Sequence, residues 1–338
     1  MRKFILFAFL ICFSFHYSQE IKKLFDEENF DELIKKDSEI SSLEAQEIYY
    51  IGYAYFRKED DSNAIRLYDK AIEKGFTNPI VYFQKGLSQV FLEKYDEAIG
   101  NYDIAISQVP KAEFFIEKGR VYKLQNNLKD EISTYVEGLK KAEKDNFYID
   151  LIKVAGNYYY AETKEYEKSA EIYKNGITDF PEEYPFYEKI IKSLNAQNKF
   201  SEANSYFDKM KFFYQKKELP EDMMKFKNLP IDEFGWNGQW INIFKSFEKP
   251  EKMLDVFYVA YLIDKSGDKI ERKFNIEKTL KIEDKDPNFV ICEELKNGHN
   301  TYPIGFRNEN FDLQELRKLI TEILNKKYKV AATIEFGK

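Results

Sequence analysis

The sequence predicts an α-solenoid of stacked helical hairpins followed by a small C-terminal α+β domain. Three observations predict it. Residues 64–72 (Ala-Ile-Arg-Leu-Tyr-Asp-Lys-Ala-Ile) return at 98–106 (Ala-Ile-Gly-Asn-Tyr-Asp-Ile-Ala-Ile), an offset of 98 − 64 = 34. Gly52 returns at the same offset as Gly86. From Met253 the apolar period changes from helical to two. A fixed period of this length marks a repeat array. A change to period two marks strands, hence a second architecture.

The recurrence has a mechanical meaning. Ala64, Tyr68 and Ala71 stand at i, i+4 and i+7, one face of a helix, and recur as Ala98, Tyr102 and Ala105. Alanine at both ends of that face admits a neighbouring helix, and tyrosine fills the space between. Gly52 and Gly86 fall in the preceding helix, where a close crossing leaves no room for a side chain. Glycine inside a helix costs roughly 0.5–1 kcal/mol relative to alanine, so two at matched positions point to packing. The pattern resembles the tetratricopeptide (TPR) repeat, a helix–turn–helix unit of about 34 residues. The resemblance implies a right-handed superhelix of hairpins whose first helices line a concave, partner-binding groove.

In chain order, Met1-Arg2-Lys3 is a basic start and Phe4–Phe15 is apolar apart from Ser14. This is the layout of a secretory signal peptide, residues 1–18, cleaved after Ser18 or alternatively after Ser14. An uncleaved anchor is the other reading, but the run is shorter than the ~20 residues that span a bilayer. Phe9-Leu10-Ile11 before Cys12 is too bulky for a lipoprotein motif. The expected location is periplasmic or secreted. Residues 20–44, with Phe25, Phe30, Leu33 and Ile34 on one face, read as an atypical N-terminal cap.

Five repeats follow, so the array runs over 19–217. The first spans about 45–78, with Asp60-Asp61-Ser62 as its turn and Gly75 as a left-handed helix end. The second spans 79–111 and closes at Pro110. The third, about 112–145, keeps Gly119 and Tyr135 but has Glu131 and Gly138 in place of the two alanines. The fourth, about 150–183, keeps Gly156 and Tyr173. The step from Tyr135 to Tyr173 is 173 − 135 = 38, which places an insertion in a loop near Lys144-Asp145-Asn146. The fifth, about 184–217, keeps Tyr187, Leu194, Ala203 and Phe207.

Pro220 and Pro230 break the pattern, and residues 218–250 read as a linker carrying both tryptophans, Trp236 and Trp240. Such a pair caps a core more often than it forms a carbohydrate platform. The α+β domain is expected over 251–338. Its parts are a strand at 255–263, a turn at Lys265-Ser266-Gly267-Asp268, a returning strand at 269–276, short strands near 289–293 and 302–306, a helix opening at Asp312, and a last strand at 329–336. Strand, Asp-Lys-Ser-Gly-Asp turn, strand, helix and terminal strand are similar to the C-terminal domain of TonB-like energy transducers. Here the hairpin and helix are farther apart, and the Pro-rich spacer and N-terminal anchor are missing, so no residue role transfers.

Chemistry is constrained by what remains after residues 1–18 leave. The 52 basic residues lose Arg2 and Lys3, giving 50 − 59 = −9. That balance argues against nucleic acid and anionic membrane surfaces as partners. Cys292 and His299 are then the single cysteine and histidine, so no internal disulfide can form and a zinc site is not expected. A Cys292–His299 nucleophile–base pair has no supporting context. No phosphate-cradling, dinucleotide-binding or nucleophile-elbow motif occurs. No catalytic residue, cofactor or metal is expected.

What the repeats offer is a groove. Helical phase from Gly52 and its equivalents predicts that Tyr49, Tyr53 and Phe56 face it, then Phe83, Leu87 and Val90, then Ile116, Arg120 and Lys123, then Val154 and Tyr158. Aromatic residues are enriched where proteins bind peptides. The family's carboxylate clamp uses Lys and Asn on the first helix, where Tyr49 and Tyr53 stand, so a C-terminal carboxylate is disfavoured. The expectation is an exported, non-enzymatic scaffold binding a protein or peptide, without an integral membrane span. The alternative makes the C-terminal domain the active module, an energy-transducer-like contact or an enzyme, docked by the repeats. Oligomeric state, partner and pathway are not encoded in any motif.

Overall fold

The computed structural model describes residues 19–248, 258–263, 289–291, 294–296, 299–301, 304–306 and 312–335. The segment 1–18, the expected turn at 265–268, the expected strand at 269–276 and Cys292 lie outside them. The chain divides into two compact units, 1–154 and 155–338.

In unit 1 a cap of α1 (19–26), α2 (Phe30–Lys35) and a 3-10 turn (Lys36–Ser42) precedes three hairpins. They are α3 (Ala45–Arg57) with α4 (Asp61–Glu73), α5 (Pro79–Phe91) with α6 (Tyr95–Gln108), and α7 (Ala112–Leu124) with α8 (Leu128–Lys141). The helix starts are specified locally. Glu44 and Glu47 form a capping box, and the side chains of Asp60, Asn78 and Asn127 accept from backbone N–H groups of the first turn. Each hairpin turns on one residue with positive φ, at Glu59, Glu93 and Asn126. Gly75, at φ +96°, ends α4 as expected.

The crossing inside each hairpin is made by the glycine and the tyrosine. A Cβ on Gly52 would meet the Tyr68 ring at 3.0 Å, on Gly86 the Tyr102 ring at 2.6 Å, and on Gly119 the Tyr135 ring at 2.2 Å. The third repeat keeps tight packing through Gly138, where a Cβ would lie 2.8 Å from Phe115.

α9 (Asn146–Asn157) contains the boundary between the units. Unit 2 continues with a π-turn (Tyr158–Glu162), α10 (Tyr166–Asp179), and the hairpin α11 (Tyr184–Ala196) with α12 (Phe200–Lys216). Glycine and tyrosine are sixteen residues apart in the first three repeats but seventeen from Gly156 to Tyr173. The π-turn that follows Asn157 absorbs that residue, as a single insertion in a helix does. The extra length of the fourth repeat is therefore not all in the loop near Lys144: part of it is in this π-turn, and the repeat's first helix opens at Asn146, not near 150.

After α13 (Glu221–Phe226) come β1 (Asn228–Trp236) and β2 (Gln239–Ser246), then β3 (Tyr258–Ile263), β4 (Phe289–Ile291), β5 (Glu294–Lys296), β6 (His299–Thr301), β7 (Ile304–Phe306), α14 (Leu313–Tyr328) and β8 (Ile334–Glu335). The sheet order is β4-β7-β3-β2-β1-β8, antiparallel throughout, with β5-β6 as a separate pair. Residues 228–246, expected within a linker, are thus two paired strands, and the α+β part does not begin at 251. Its first hairpin turns at Asn237-Gly238, both with positive φ, and joins the first two strands. Ladder register shifts between Pro230 and Asp232, which breaks the alternation that would have revealed β1.

Candidate functional site

In unit 1 the predicted groove residues separate into two groups. Tyr49, Phe83 and Ile116, three residues before each glycine, are buried. Tyr49 packs on Tyr68 and Phe76, with centroids 5.8 and 5.0 Å away, and Phe83 packs on Tyr102 and Phe114 at 5.7 and 4.6 Å. They hold helix to helix and belong to the core, not to a binding surface. Tyr53, Phe56, Leu87, Val90 and Val154 are half-buried, while Arg120 and Lys123 are exposed. Arg120 pairs with Glu117 at 3.0 Å.

Tyr158, in unit 2, is also buried. It stands two residues after Gly156, whereas Tyr53, Leu87 and Arg120 stand one after theirs. The residue in phase is Asn157, which is exposed and accepts a hydrogen bond from Tyr173.

The structure brings Tyr53 and Phe56 into an aromatic run. Tyr53 lies 5.5 Å from Phe25 and 6.1 Å from both Phe30 and Phe56, and Phe56 lies 6.1 Å from Phe91. The Arg57 guanidinium sits 4.9 Å over Phe30. Phe91 was missed by the groove phase, yet it is 67% exposed. Leu124 is 56% exposed. Both stand five residues after their glycines, Gly86 and Gly119. That offset at the exit of each first helix was the legible signal for them.

Unit 2 buries charge instead. Arg317 on α14 and Asp232 on β1 are each 2% exposed. Arg317 Nε and one terminal nitrogen donate to the two Asp232 oxygens, both at 2.7 Å. The guanidinium also donates to the Asn195 carbonyl at 3.1 Å and to Asn198 Oδ1 at 3.3 Å. Asn195 in turn donates to the Ile231 carbonyl at 2.7 Å. Burial pushes the Asp232 carboxyl above its ordinary value, and Arg317 is the strongest influence opposing it. Beside this cluster, Lys192 lies 3.0 Å from Glu188 and from Glu233. Burial pulls the lysine down, but the two carboxylates outweigh it and hold it above the usual value. Phe247 stacks on Phe207 and Tyr214 of α12, at 5.5 and 5.1 Å. The last hairpin, β1, β2 and α14 therefore share one interior.

Trp236 is buried, with Nε1 donating to Asn325 Oδ1 at 3.0 Å, while Trp240 is partly exposed. The two do not form a common platform. Among the described residues no cluster of His, Cys, Asp or Glu is placed to hold a metal, and no helix is long and apolar enough to cross a membrane.

No protein-family model matches the chain, and no curated protein matches it. Solved structures resemble it. The C-terminal part of a TPR repeat-containing protein from Cytophaga hutchinsonii is 16% identical, with a TM-score of 0.48 over 56% of this chain and 76% of that one. PilF of Pseudomonas aeruginosa is 16% identical, with a TM-score of 0.43 over 60% of this chain and 92% of that one. YrrB, a TPR protein with an unusual peptide-binding site, is 16% identical, with a TM-score of 0.38 over 53% of this chain and 89% of that one. The fold class, consecutive TPR-type hairpins followed by a small sheet unit, rests on the helices, crossings and strands described above.

Proposed function

We propose that the chain is an exported, non-enzymatic scaffold that holds a protein or peptide partner on the aromatic face of unit 1. The observation that carries this reading is the exposure of Phe91 and Leu124 at matched positions of successive repeats, the first in contact with Phe56. Exposed apolar side chains grouped on one face mark interaction sites. The buried charges of unit 2 are matched to one another and offer no open site for chemistry. The basic start and apolar run before residue 19 support export. Protein recovered from the periplasm or medium should begin at Gln19, and recovery with Met1 intact would refute cleavage there.

Serine at Phe56, Phe91 and Leu124 together tests the face. Mild cross-linking in the native cells should capture a partner with the wild-type chain and not with the variant, at unchanged circular dichroism. Equal capture by both would reject the assignment.

A further inference from the structure

One position differs between successive repeats of unit 1 and opens a cleft. Tyr122 stands three residues after Gly119, and its counterpart three after Gly86 is Gln89. Gln89 is buried, donates to Glu97 at 2.9 Å and accepts from Asn101 at 2.7 Å, so its polar atoms are used inside its own hairpin. Tyr122 is half-buried, and its side chain lines a cleft instead. The cleft, about 530 Å³ in volume, is lined by Asp96 and Ile99 of α6, by Tyr122 of α7, and by Gln125 and Asn127 of the turn that follows. That size is ordinary for a small-ligand site. Gln125 Nε2 donates to Asp96 Oδ1 at 2.9 Å, which ties one wall to the other. Asn127 Nδ2 donates to the Asp130 carboxylate at 2.7 Å, and its Oδ1 accepts from the Asp130 backbone N–H at 3.3 Å. The polar groups of the lining are therefore held in place before a ligand arrives.

We propose that this cleft binds a neutral sugar ring. A pyranose has an apolar C–H face that covers an aromatic ring, and a rim of hydroxyls that both donate and accept. The Tyr122 ring and Ile99 supply the apolar platform. Asp96 only accepts, while Gln125 and Asn127 each carry an acceptor and donors, so neighbouring hydroxyls are met in both senses. Charged ligands fit less well. An anion would lie beside Asp96, and none of the lining residues is cationic. A cation would lie near Lys118, whose ammonium already sits 5.8 Å over the Tyr122 ring and 2.6 Å from Asp103. The lining is also more polar than the apolar pockets that take hydrophobic side chains. The aromatic face of Tyr53 and Phe56 takes no part, so this proposal and the protein-binding one stand or fall separately.

The test uses the full chain with glucose, galactose, mannose, N-acetylglucosamine, maltose, cellobiose and chitobiose. Saturation-transfer NMR identifies the sugars that bind. The tightest is then titrated against wild type, Tyr122→Ala, Asp96→Ala and Trp240→Ala, each checked by circular dichroism. Tyr122→Ala and Asp96→Ala should each bind roughly 10-fold more weakly, from the loss of the ring contact and of a hydrogen bond to a charged group. Trp240→Ala, which changes the partly exposed tryptophan of unit 2, should bind as wild type does. Asp96 is exposed, so its variant keeps the test decisive should Tyr122→Ala fail to fold. Wild-type affinity in both cleft variants would overturn the proposal, as would a loss confined to Trp240→Ala. Binding of none of these sugars to the wild-type chain would overturn it too.

Discussion

The two units handle buried polar groups in opposite ways. In unit 1 the hydroxyl oxygens of Tyr68 and Tyr102 are buried without a hydrogen-bond partner. In unit 2 a full guanidinium–carboxylate pair is buried, yet each charge is met, Arg317 by Asp232 and by Asn195, Lys192 by Glu188 and Glu233. Unit 1 turns Phe91 and Leu124 outward, and unit 2 turns Phe212 outward but draws Phe247 in between aromatic rings of α12. The unmatched hydroxyls lie in the unit for which the partner-binding face is proposed. Matched charges suit an interior that closes on itself. Similar hairpins can thus differ in how fully their buried polar groups are met, depending on what fills the crossing and what packs behind it.

The sharpest way to break the comparison is at Arg317. Arg317→Met leaves Asp232 buried with its main partner gone, and unit 2 should lose about 3–5 kcal/mol in chemical denaturation. The sign of the pH effect follows from Asp232. Its pKa is already raised by burial, and losing Arg317 raises it further. A raised folded-state pKa stabilises below the unfolded value and loses that contribution as pH rises, so the deficit of the variant should be largest at neutral pH and shrink towards pH ~4. Arg317→Met combined with Asp232→Leu should recover most of the loss. A double variant as weak as the single one would mean that the pair is not the source of the effect.

A smaller effect separates the crossings within unit 1. Gly119→Ala should destabilise by up to ~2 kcal/mol, since overpacking costs about 1–3 kcal/mol and helix propensity returns about 1. Gly52→Ala, whose Cβ would meet Tyr68 only at 3.0 Å rather than 2.2 Å, should stay within ~1 kcal/mol of wild type. Equal losses at the two sites would show that crossing distance does not set the cost. Smaller still, Phe91→Ser should change stability by less than ~0.5 kcal/mol, as surface substitutions do, while reducing partner capture.

Much of this was legible before the structure. The recurrence of Gly52 as Gly86 and of Tyr68 as Tyr102 located the hairpins and their crossings. The groove was read less well, because one helical phase was carried across residues that differ in depth. Three residues before the glycine, Tyr49 and Phe83 face the tyrosine of their own hairpin and are core. Five after it, Phe91 is free of that crossing and points to solvent. The phase then slipped by one at Tyr158, beside a π-turn that no periodicity signals. The hairpin at 228–246 carried its own clue in Asn237-Gly238, but Pro230 and the neighbouring register shift hid the alternation. Nothing local could have revealed the Arg317–Asp232 pair, since its members are 85 residues apart in the chain.

The contrast between idle and matched hydroxyls is tested most directly by calorimetry of two full-length variants that differ from wild type by one oxygen each. Tyr102→Phe removes a hydroxyl without a partner and should raise the melting temperature, by the equivalent of ~1 kcal/mol. Tyr173→Phe removes one bonded to Asn157 and should lower it by a similar amount. Shifts of the same sign in both would contradict the account.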